Sequence, residues 1–529
     1  PYNRPKIIIL VAARGRARIY MTVFLCEFIK LVEGNIMDGK NYINGAFVNG
    51  SAGGRFESRN PANFDELLGT FPLSSEKDVN DAVSAAQGAY DSWRRLSRIK
   101  RGEYLDEFAQ LLKKDKEELS RLVTMECGKG IVEGRADVTE GIHMVQYVCG
   151  TVRMPHGDVI DSEIPEKDAF LRRKPKGVVA AITPWNFPFA IPLWLLCPSI
   201  AEGNTVVLKP SRETACTANK IAEYAHKAGI PPGVINIVHG SCGDVLVKHP
   251  DTQVVLFVGS NDVGSEIKRV VAGHHNKMCA CEMGGKNALI VLDDANLEIA
   301  VNAAIISAFK TSGQRCTSAS RLIVHEKVLR EFERRFVEIT KGIKIGNPLD
   351  EDVFMGPVIN QAATEKIARY NELARKEGAA VLVDGGRLTD EKYKKGFFMS
   401  PFVYRMNSNP TSRVLHEEVF GPHVAIIPVK NIEEAVKVYN DTDYGLACAV
   451  ITEDFRKAKA IRDDCEYGLG YVNLPTIGAE VHLPFGGVKK SGTGMPSAST
   501  LIDVITHRTA WTVNHALEIK MAQGLTIKW

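Results

Sequence analysis

The sequence predicts an α/β protein built on parallel sheets covered on both faces by helices. From Gly177 onward, short continuous apolar runs at 178–182, 205–208, 234–238 and 254–257 alternate with helical periodicity at 189–201, 214–228 and 262–271. Strands that lack polar alternation are strands buried on both faces. The alternation starts afresh after Glu282, with apolar runs at 288–292 and 321–324, helical patterns at 297–309 and 327–340, and later strands at 380–383 and 423–429. A second α/β unit is therefore expected. The length of 529 residues exceeds one ordinary core and corresponds to about three to four domains.

Composition sets the outer bounds. With 45% apolar and 24% charged residues the chain reads as globular, and a formal net charge of +3 gives no basis for nucleic-acid binding. Eleven cysteines, an odd number without a Cys-x-x-Cys, do not form a secreted disulfide framework, so a reducing compartment, the cytoplasm, is expected. There is no run of about 18 or more uncharged apolar residues, hence no expected membrane helix or membrane partner.

In chain order, Lys6 to Ala13 is apolar behind Arg4 and is similar to a short signal core. Arg14, Arg16 and Arg18 follow where a small-residue cleavage site belongs. Residues 1–36 are expected to be an extension outside the folded part, of gene-start or cloning origin. Residues 41–49 alternate and turn at Asn44-Gly45, a hairpin signal because both central residues of that turn take positive φ. From Ser75 to about Gly128, Val79, Ala82, Val83 and Ala86, then Tyr104, Phe108, Leu111 and Leu112, fall at helical spacing, and Cys127 is expected to be packed. Residues 158–175 hold two short extended segments around Val159 and Phe170, too small to enclose a core, so they form an arm. The expected division is 37–157 with 176–283, an arm of 158–175 with 505–529, a second unit at 284–485, and a return to the first at 486–504.

The chemistry centres on Thr311-Ser-Gly-Gln-Arg-Cys316. A thiol in a Gly-bearing turn beside the fixed cation Arg315 is a candidate nucleophile, although a packed cysteine is the commoner outcome for such a segment alone. Glu282-Met-Gly-Gly-Lys-Asn287 places a carboxylate at a strand end, where it can activate the water that a thioester needs. Gly259-Ser-Asn-Asp-Val-Gly264 follows a strand and opens a helix, offering backbone N–H groups to a pyrophosphate, although it is not a G-x-G-x-x-G. His274-His-Asn-Lys-Met-Cys-Ala-Cys281 holds four potential metal ligands. Its cysteines alternate into a strand ending at Glu282 and no second pair stands at finger spacing, so no metal is expected.

These segments resemble the aldehyde dehydrogenase superfamily over nearly everything from about Asn41 to the C-terminus. The other matching motifs, in the family's order, are Thr183-Pro-Trp-Asn-Phe-Pro188, Gly203-Asn-Thr-Val-Val-Leu-Lys-Pro-Ser211, Phe257-Val-Gly-Ser260, Gly313-Gln-Arg-Cys316, Glu417-Glu-Val-Phe-Gly-Pro422 and Pro484-Phe-Gly-Gly487. The resemblance implies an aldehyde dehydrogenase-like fold: a Rossmann-like cofactor domain, an α/β catalytic domain, and a β-hairpin oligomerisation arm joined by a strand near 509–513. It therefore implies a homo-oligomer, dimer or tetramer.

It also implies NADP or NAD as cofactor, a small-molecule aldehyde as substrate, and Cys316 as nucleophile through a thiohemiacetal and a thioester. Glu282 would be the base for water, and the Asn186 amide with the Cys316 N–H would face the oxyanion. Trp185 and Ser260 would meet the phosphates, Lys209 the adenosine ribose, and Glu418 with Phe420 the nicotinamide end. Thr183, Pro184, Ser211, Gly240, Phe257, Gly259, Gly264 and Gly284 complete the expected cofactor set. Where the family often has Glu, this chain has Arg212, followed by Glu213; a guanidinium there favours a 2′-phosphate, so NADP is expected to be accepted. Gly492-Thr-Gly-Met-Pro496 departs from the family's Gly-x-Gly-Arg-Glu and removes a charged pair.

Arg315, and Asn473 to Glu480 before Pro484, resemble members that oxidise carboxylate-bearing semialdehydes, closest in look to 2-oxoglutarate semialdehyde (2,5-dioxopentanoate) dehydrogenase-like members. Arg315, Asn473 and Phe485 are the expected substrate residues. Arg315 either anchors a carboxylate or faces the protein in an ion pair, and the sequence leaves both open. The alternatives are a generic aliphatic or aromatic aldehyde dehydrogenase, a coenzyme A-dependent semialdehyde dehydrogenase, and a non-catalytic crystallin-like protein of the same fold. Glu282 favours water as the acyl acceptor, and the joint presence of Cys316, Glu282 and Asn186 favours an enzyme.

Overall fold

The computed structural model describes residues 36–494 and 500–524. Residues 1–35 of the expected extension 1–36, and Met495 and Pro496 of the Gly492 motif, lie outside the described residues. Strands β1 (Met37–Asp38), β2 (Asn41–Ile43) and β3 (Ala46–Val48) open the fold. β2 and β3 form the expected hairpin, with Tyr42 opposite Phe47 and both turn residues at positive φ, 49° for Asn44 and 77° for Gly45. An antiparallel pair follows that the sequence pattern did not announce, β4 (Arg55–Asn60) and β5 (Asn63–Pro72). In β4 the inward residues are Phe56, Ser58 and Asn60, so two of its three buried positions are polar and the apolar alternation is lost.

Four helices come next: α1 (Glu76–Arg95), α2 (Arg98–Lys114), α3 (Lys116–Cys127) and α4 (Ile131–Thr151). α1 starts where the Asp78 carboxylate accepts from the N–H of its cap residue Ser75 at 2.7 Å. Glu126, buried near the end of α3, accepts from Ser58 Oγ at 2.8 Å, Cys216 N at 2.7 Å, Thr217 N at 2.8 Å and Thr217 Oγ1 at 2.7 Å. It thereby satisfies N-terminal donors of a later helix that would otherwise be orphaned.

After the arm strands β6 (Val159–Asp161) and β7 (Lys167–Pro175) comes the first parallel sheet. Its elements are β8 (Val178–Ile182), α5 (Ala190–Ala201), β9 (Thr205–Lys209), α6 (Ala215–Lys227), β10 (Ile235–Ile237), α7 (Gly243–Lys248), β11 (Thr252–Gly259), α8 (Asn261–Ala272) and β12 (Met278–Met283). The order is β12-β11-β8-β9-β10, all parallel, extended at one edge by β2 and β3. Alternate residues of one strand feed two cores: Val179 and Ala181 face one, Val178, Ala180 and Ile182 the other. Burial of each such side chain contributes about 1.5–3 kcal/mol for the larger ones, which is why the strands carry no polar alternation.

The second sheet is built from β13 (Ala288–Val291), α9 (Leu297–Phe309), β14 (Arg321–His325), α10 (Glu326–Lys341), α11 (Gln361–Lys376), β15 (Ala380–Val383), β16 (Phe402–Arg405), α12 (Arg413–His416), β17 (His423–Val429), α13 (Ile432–Asn440), β18 (Tyr444–Gly445), β19 (Ala447–Ile451), α14 (Phe455–Asp464) and β20 (Leu469–Val472). Its order is β15-β16-β17-β14-β13-β19-β20, with β15 antiparallel at the edge. β16, β19 and β20 add to the strands that periodicity predicts; each has only four or five residues.

The chain then returns. β21 (Val488–Lys489) pairs with β18, and β22 (Gly492–Thr493) pairs antiparallel with β12, setting Gly492 opposite Glu282. After α15 (Leu501–Ile505), β23 (Thr506–Asn514) runs antiparallel to β7 along its whole length and completes a three-stranded arm sheet, β23-β7-β6. Among the described residues no helix is long and apolar enough to cross a membrane.

Glu126→Ala would leave two backbone N–H groups and two hydroxyls of the core without their acceptor. We expect a loss of about 3 kcal/mol, read as a drop of several degrees in the midpoint of thermal unfolding. A shift below about 1 °C would mean that these donors find other acceptors.

Candidate active site

Cys316 lies in the loop between a short 3-10 turn, Lys310–Gly313, and β14. Three consecutive residues of that approach are left-handed: Thr311 and Ser312 at φ 54° and Gly313 at φ 70°. For the two that carry a Cβ this conformation costs about 1–2 kcal/mol each. Several elements hold it. Glu133 of α4, buried, accepts from Thr311 Oγ1 at 2.6 Å, Thr311 N at 3.2 Å and Arg315 Nη2 at 2.7 Å. Ser312 Oγ donates to Gly356 O at 2.8 Å, and a Cβ on Gly313 would collide with Gly421 O. Asn287, just before β13, donates from Nδ2 to Cys316 O at 2.6 Å and Ser318 O at 3.0 Å, and accepts from Ala447 N at 2.8 Å.

Glu282, one residue from the end of β12, is buried, and its Oε1 has no hydrogen-bond partner among the described residues. Burial pushes its carboxyl up to about 8; the Cys316 thiol pulls it back and the Glu418 carboxylate adds. Burial also raises the Cys316 thiol well above its ordinary range, with Glu282 and Glu418 adding and Arg315 opposing. Arg315 therefore does not outweigh burial at the thiol it adjoins. The guanidinium is already committed through Nη2 to Glu133 and through Nε to Thr311 Oγ1 at 2.9 Å, so its effect on the thiol loses to burial and two carboxylates.

Asn186 follows β8 in a segment pinned from below. The Lys129 ammonium and the Asp137 carboxylate form a fully buried pair at 3.0 Å. Asp137 also accepts from Ala190 N at 2.8 Å, and Lys129 Nζ lies 3.8 Å from the centre of the Phe187 ring. Asn186 Nδ2 donates to Gln314 O at 3.1 Å, which leaves its second N–H uncommitted, while Oδ1 is buried without a partner.

Two cavities meet at these groups. The larger, about 540 Å³, is walled by Ala136, Thr139, Glu140 and His143 of α4, Ile191 and Trp194 of α5, Arg315, Tyr471, residues 478–482 and Phe485. The smaller, about 350 Å³, is walled by Pro184, Trp185, Asn186, Gly259, Ser260, Gly284, Asn360, Lys366, Glu418 and Phe420. They share Ile191, Val258, Glu282 and Cys316, so the thiol and the carboxyl stand at the neck between them.

The donors of the smaller cavity and its rim suit a dinucleotide. α8 starts at Ser260, whose side chain makes no cap hydrogen bond. The helix packs so closely that a Cβ on Gly264 would collide with Met283 Sδ, and a Cβ on Gly284 would collide with the Glu418 carboxylate. Lys209, at the end of β9, has no acidic partner among the described residues, and burial lowers its ammonium from the usual lysine range with Arg212 adding. Exposed Arg212 lies 4.8 Å over the Phe56 ring, while Glu213 is taken by Asn360 Nδ2 at 2.8 Å. Ser211 caps the short turn that carries both. Trp185 and Phe420 meet edge to face at 5.7 Å, and Glu418 Oε1 accepts from Gly285 N at 2.9 Å.

Some expected residues stand elsewhere. Phe257 is buried behind Gly259 and does not line the cavity, because on β11 its side chain points with that of Val255 into the core on the other face. Gly240 closes a turn against Leu73 and Ser74, and Thr183 is buried behind the wall with its N–H on Lys209 O at 3.2 Å. Asn473, expected as a substrate residue, lines neither cavity: its amide exchanges two 3.0 Å hydrogen bonds with the Thr452 backbone. Phe485 does line the larger cavity, packed 5.0 Å from Trp194. Among the described residues no group of three or more metal-ligating side chains is assembled, and Cys281 is buried within β12. Glu133, Glu140, Lys129 and Tyr471 were not singled out by the sequence; the first three lie on or just before α4, where periodicity marks only a buried face.

Glu133→Gln removes the charge that neutralises Arg315, so the guanidinium should act undiminished on Cys316. The pH midpoint for alkylation of Cys316 by iodoacetamide is expected to move down relative to the wild type. An unchanged or higher midpoint would show that Glu133 does not hold the Arg315 charge in check.

The model of the aldehyde dehydrogenase family matches residues 47–510. An alpha-ketoglutaric semialdehyde dehydrogenase of Bacillus subtilis (strain 168) is 39% identical over 458 residues, which cover 86% of this chain and 93% of that protein. A malonate-semialdehyde dehydrogenase of Lacticaseibacillus casei is 34% identical over 485 residues, covering 91% and 98%. The crystal structure of betaine aldehyde dehydrogenase from Staphylococcus aureus in complex with NAD+ superposes with a TM-score of 0.88 at 31% identity, covering 95% of this chain and 100% of that one. The chain belongs to the aldehyde dehydrogenase family and is an NAD(P)-dependent aldehyde dehydrogenase.

Proposed function

We propose that the chain oxidises a carboxylate-bearing semialdehyde to the corresponding diacid, with NADP or NAD in the smaller cavity and the aldehyde in the larger. The observation that carries this is the placement of Cys316 and Glu282 at the neck shared by both cavities, with Arg315 on the wall of the larger. Arg315 Nη1 makes no hydrogen bond among the described residues, so one edge of the guanidinium holds Glu133 and the other is open to an anion. The two sequence alternatives for Arg315 are then compatible. Relatives named for alpha-ketoglutaric and malonate semialdehydes, both carboxylate-bearing, support the same substrate class.

The chain's own residues divide the work. The Cys316 sulfur, once deprotonated, attacks the aldehyde carbon and forms a thiohemiacetal. Its oxyanion is met by the second N–H of Asn186 Nδ2 and by the Cys316 backbone N–H, which has no acceptor among the described residues. The nicotinamide of the bound dinucleotide supplies the acceptor for the hydride lost from that carbon. Glu282, in its ionised form, then takes a proton from water as the water attacks the thioester and passes it to the departing Cys316 sulfur, which releases the acid and restores the thiol. Exposed Arg212 beside Lys209 supports acceptance of the 2′-phosphate of NADP.

The proposal includes a homo-oligomer assembled through the arm, supported by the exposed apolar side chains Val159, Ile160 and Trp511 on that sheet. It includes the domain division at 157/158, 175/176, 283/284 and 485/486, supported by the return of β22 to β12. It also includes a cytoplasmic setting, supported by the free state of the described cysteines.

The test is formation of reduced nicotinamide with 2-oxoglutarate semialdehyde beside uncharged pentanal, with NADP and NAD in parallel. A kcat/KM at least about tenfold higher for the semialdehyde is expected, and equal values would reduce the substrate to a generic aldehyde. Glu282→Gln should still give a stopped-flow burst approaching one reduced nicotinamide per site and then turn over about 100-fold more slowly. Wild-type steady-state rates in that variant would remove Glu282 from thioester hydrolysis.

A further inference from the structure

The mechanism leaves Glu140, a carboxyl group on the wall of the larger cavity, unused. Glu140 stands on α4 with Ala136, Thr139 and His143, the spacing that puts all four on one helix face and on the cavity wall. The neighbouring acids are matched: Glu133 by Thr311 and Arg315, Asp137 by Lys129 and Ala190 N, Glu418 by Gly285 N. Glu140 makes no hydrogen bond among the described residues, and its Oε1 is closed off from solvent. Glu282 is the other carboxyl of this cavity with an unpartnered buried oxygen, and it stands beside the nucleophile.

We propose that Glu140 is a specificity-determining residue, whose carboxyl group donates a hydrogen bond to an oxygen of the substrate's carboxylate tail while Arg315 Nη1 holds the same tail electrostatically. This rests on the carboxylate-bearing substrate proposed above. Burial, with Asp137 adding and Arg315 and Lys129 opposing, pushes Glu140 up to about 8, so at neutral pH it carries the proton such a bond requires. The other ionisable groups facing it are His143 on its own helix, Tyr471 of β20, Glu480 and His482 of the loop, and Glu282 with Cys316 at the neck. An anionic tail beside Glu140 further disfavours the charged form, so binding of the tail and retention of the proton are linked. The sign follows: the tail is held below pH 8, and above it an ionised Glu140 repels the tail.

The test measures KM for 2-oxoglutarate semialdehyde and for pentanal in the full chain with saturating NADP, from pH 6.5 to 9.5. The ratio of the two KM values cancels titration of Cys316 and Glu282. In the wild type this ratio should rise about tenfold or more between pH 7.5 and 9.5. In Glu140→Gln, whose amide donates at every pH, it should stay flat, and in Glu140→Ala it should already be raised about tenfold at pH 7. A wild-type ratio that is flat with pH, or a Gln variant that bends like the wild type, overturns the role of Glu140 while leaving the semialdehyde preference intact. Absence of any preference over pentanal at pH 7 overturns the carboxylate substrate and this role together.

Discussion

The active site depends on one buried carboxylate holding one unfavourable turn. Thr311 and Ser312 are left-handed, and Glu133 of α4 is the one side chain there that takes the Thr311 N–H and hydroxyl and the Arg315 guanidinium together. Without that acceptor the backbone would have little reason to keep two Cβ-bearing residues in that region. The turn sets the direction in which Cys316 leaves α9, so Glu133 on α4 indirectly aims a sulfur that belongs to the other sheet. The clamp therefore ties the two halves of the molecule together at the point where chemistry is required, and Asn287 and Gln314 complete it from below.

Electrostatically the site is set for proton handling rather than for a standing thiolate. Burial dominates both Glu282 and Cys316; Glu282 opposes ionisation of the thiol, whereas the thiol's hydrogen bond favours ionisation of Glu282. In the proposed mechanism charge develops where the Asn186 amide and the Cys316 N–H can receive it. The Arg315 guanidinium beside Cys316 is occupied through Nε and Nη2, and only Nη1 is left for the substrate role proposed above.

The sheets were legible in the sequence where burial on both faces removed polar alternation, as in Val178–Ile182 and Ala288–Val291. The β4-β5 pair was not, because Ser58 and Asn60 point inward to polar partners, Ser58 to Glu126 and Asn60 to Glu66 and Ala62. Cys316, Glu282 and Asn186 stood out because each lies in or beside a short loop of unusual composition. Glu133, Lys129 and Glu140 did not, since on or beside a long helix their residue type carries no sign of what the fold brings to face them, as with Glu133 and Thr311, which are 178 positions apart. The fate of Arg315 was undecidable for the same reason: its partner belongs to a distant segment. Asn473 shows the converse, a polar residue near a motif that serves only its own backbone neighbours.

The arm sheet has a consequence for how the chain is made. β7 can acquire its partner β23 only when the C-terminus arrives, since Thr509 and Arg172 bond across 337 positions. At roughly 5–20 residues per second on the ribosome, β7 waits for tens of seconds as an open edge. Lys167, Arg172, Arg173 and Lys174 populate that edge with positive charge, and such charges discourage pairing between nascent chains. The same nine residues that later knit the arm thus act first as an electrostatic guard against premature aggregation.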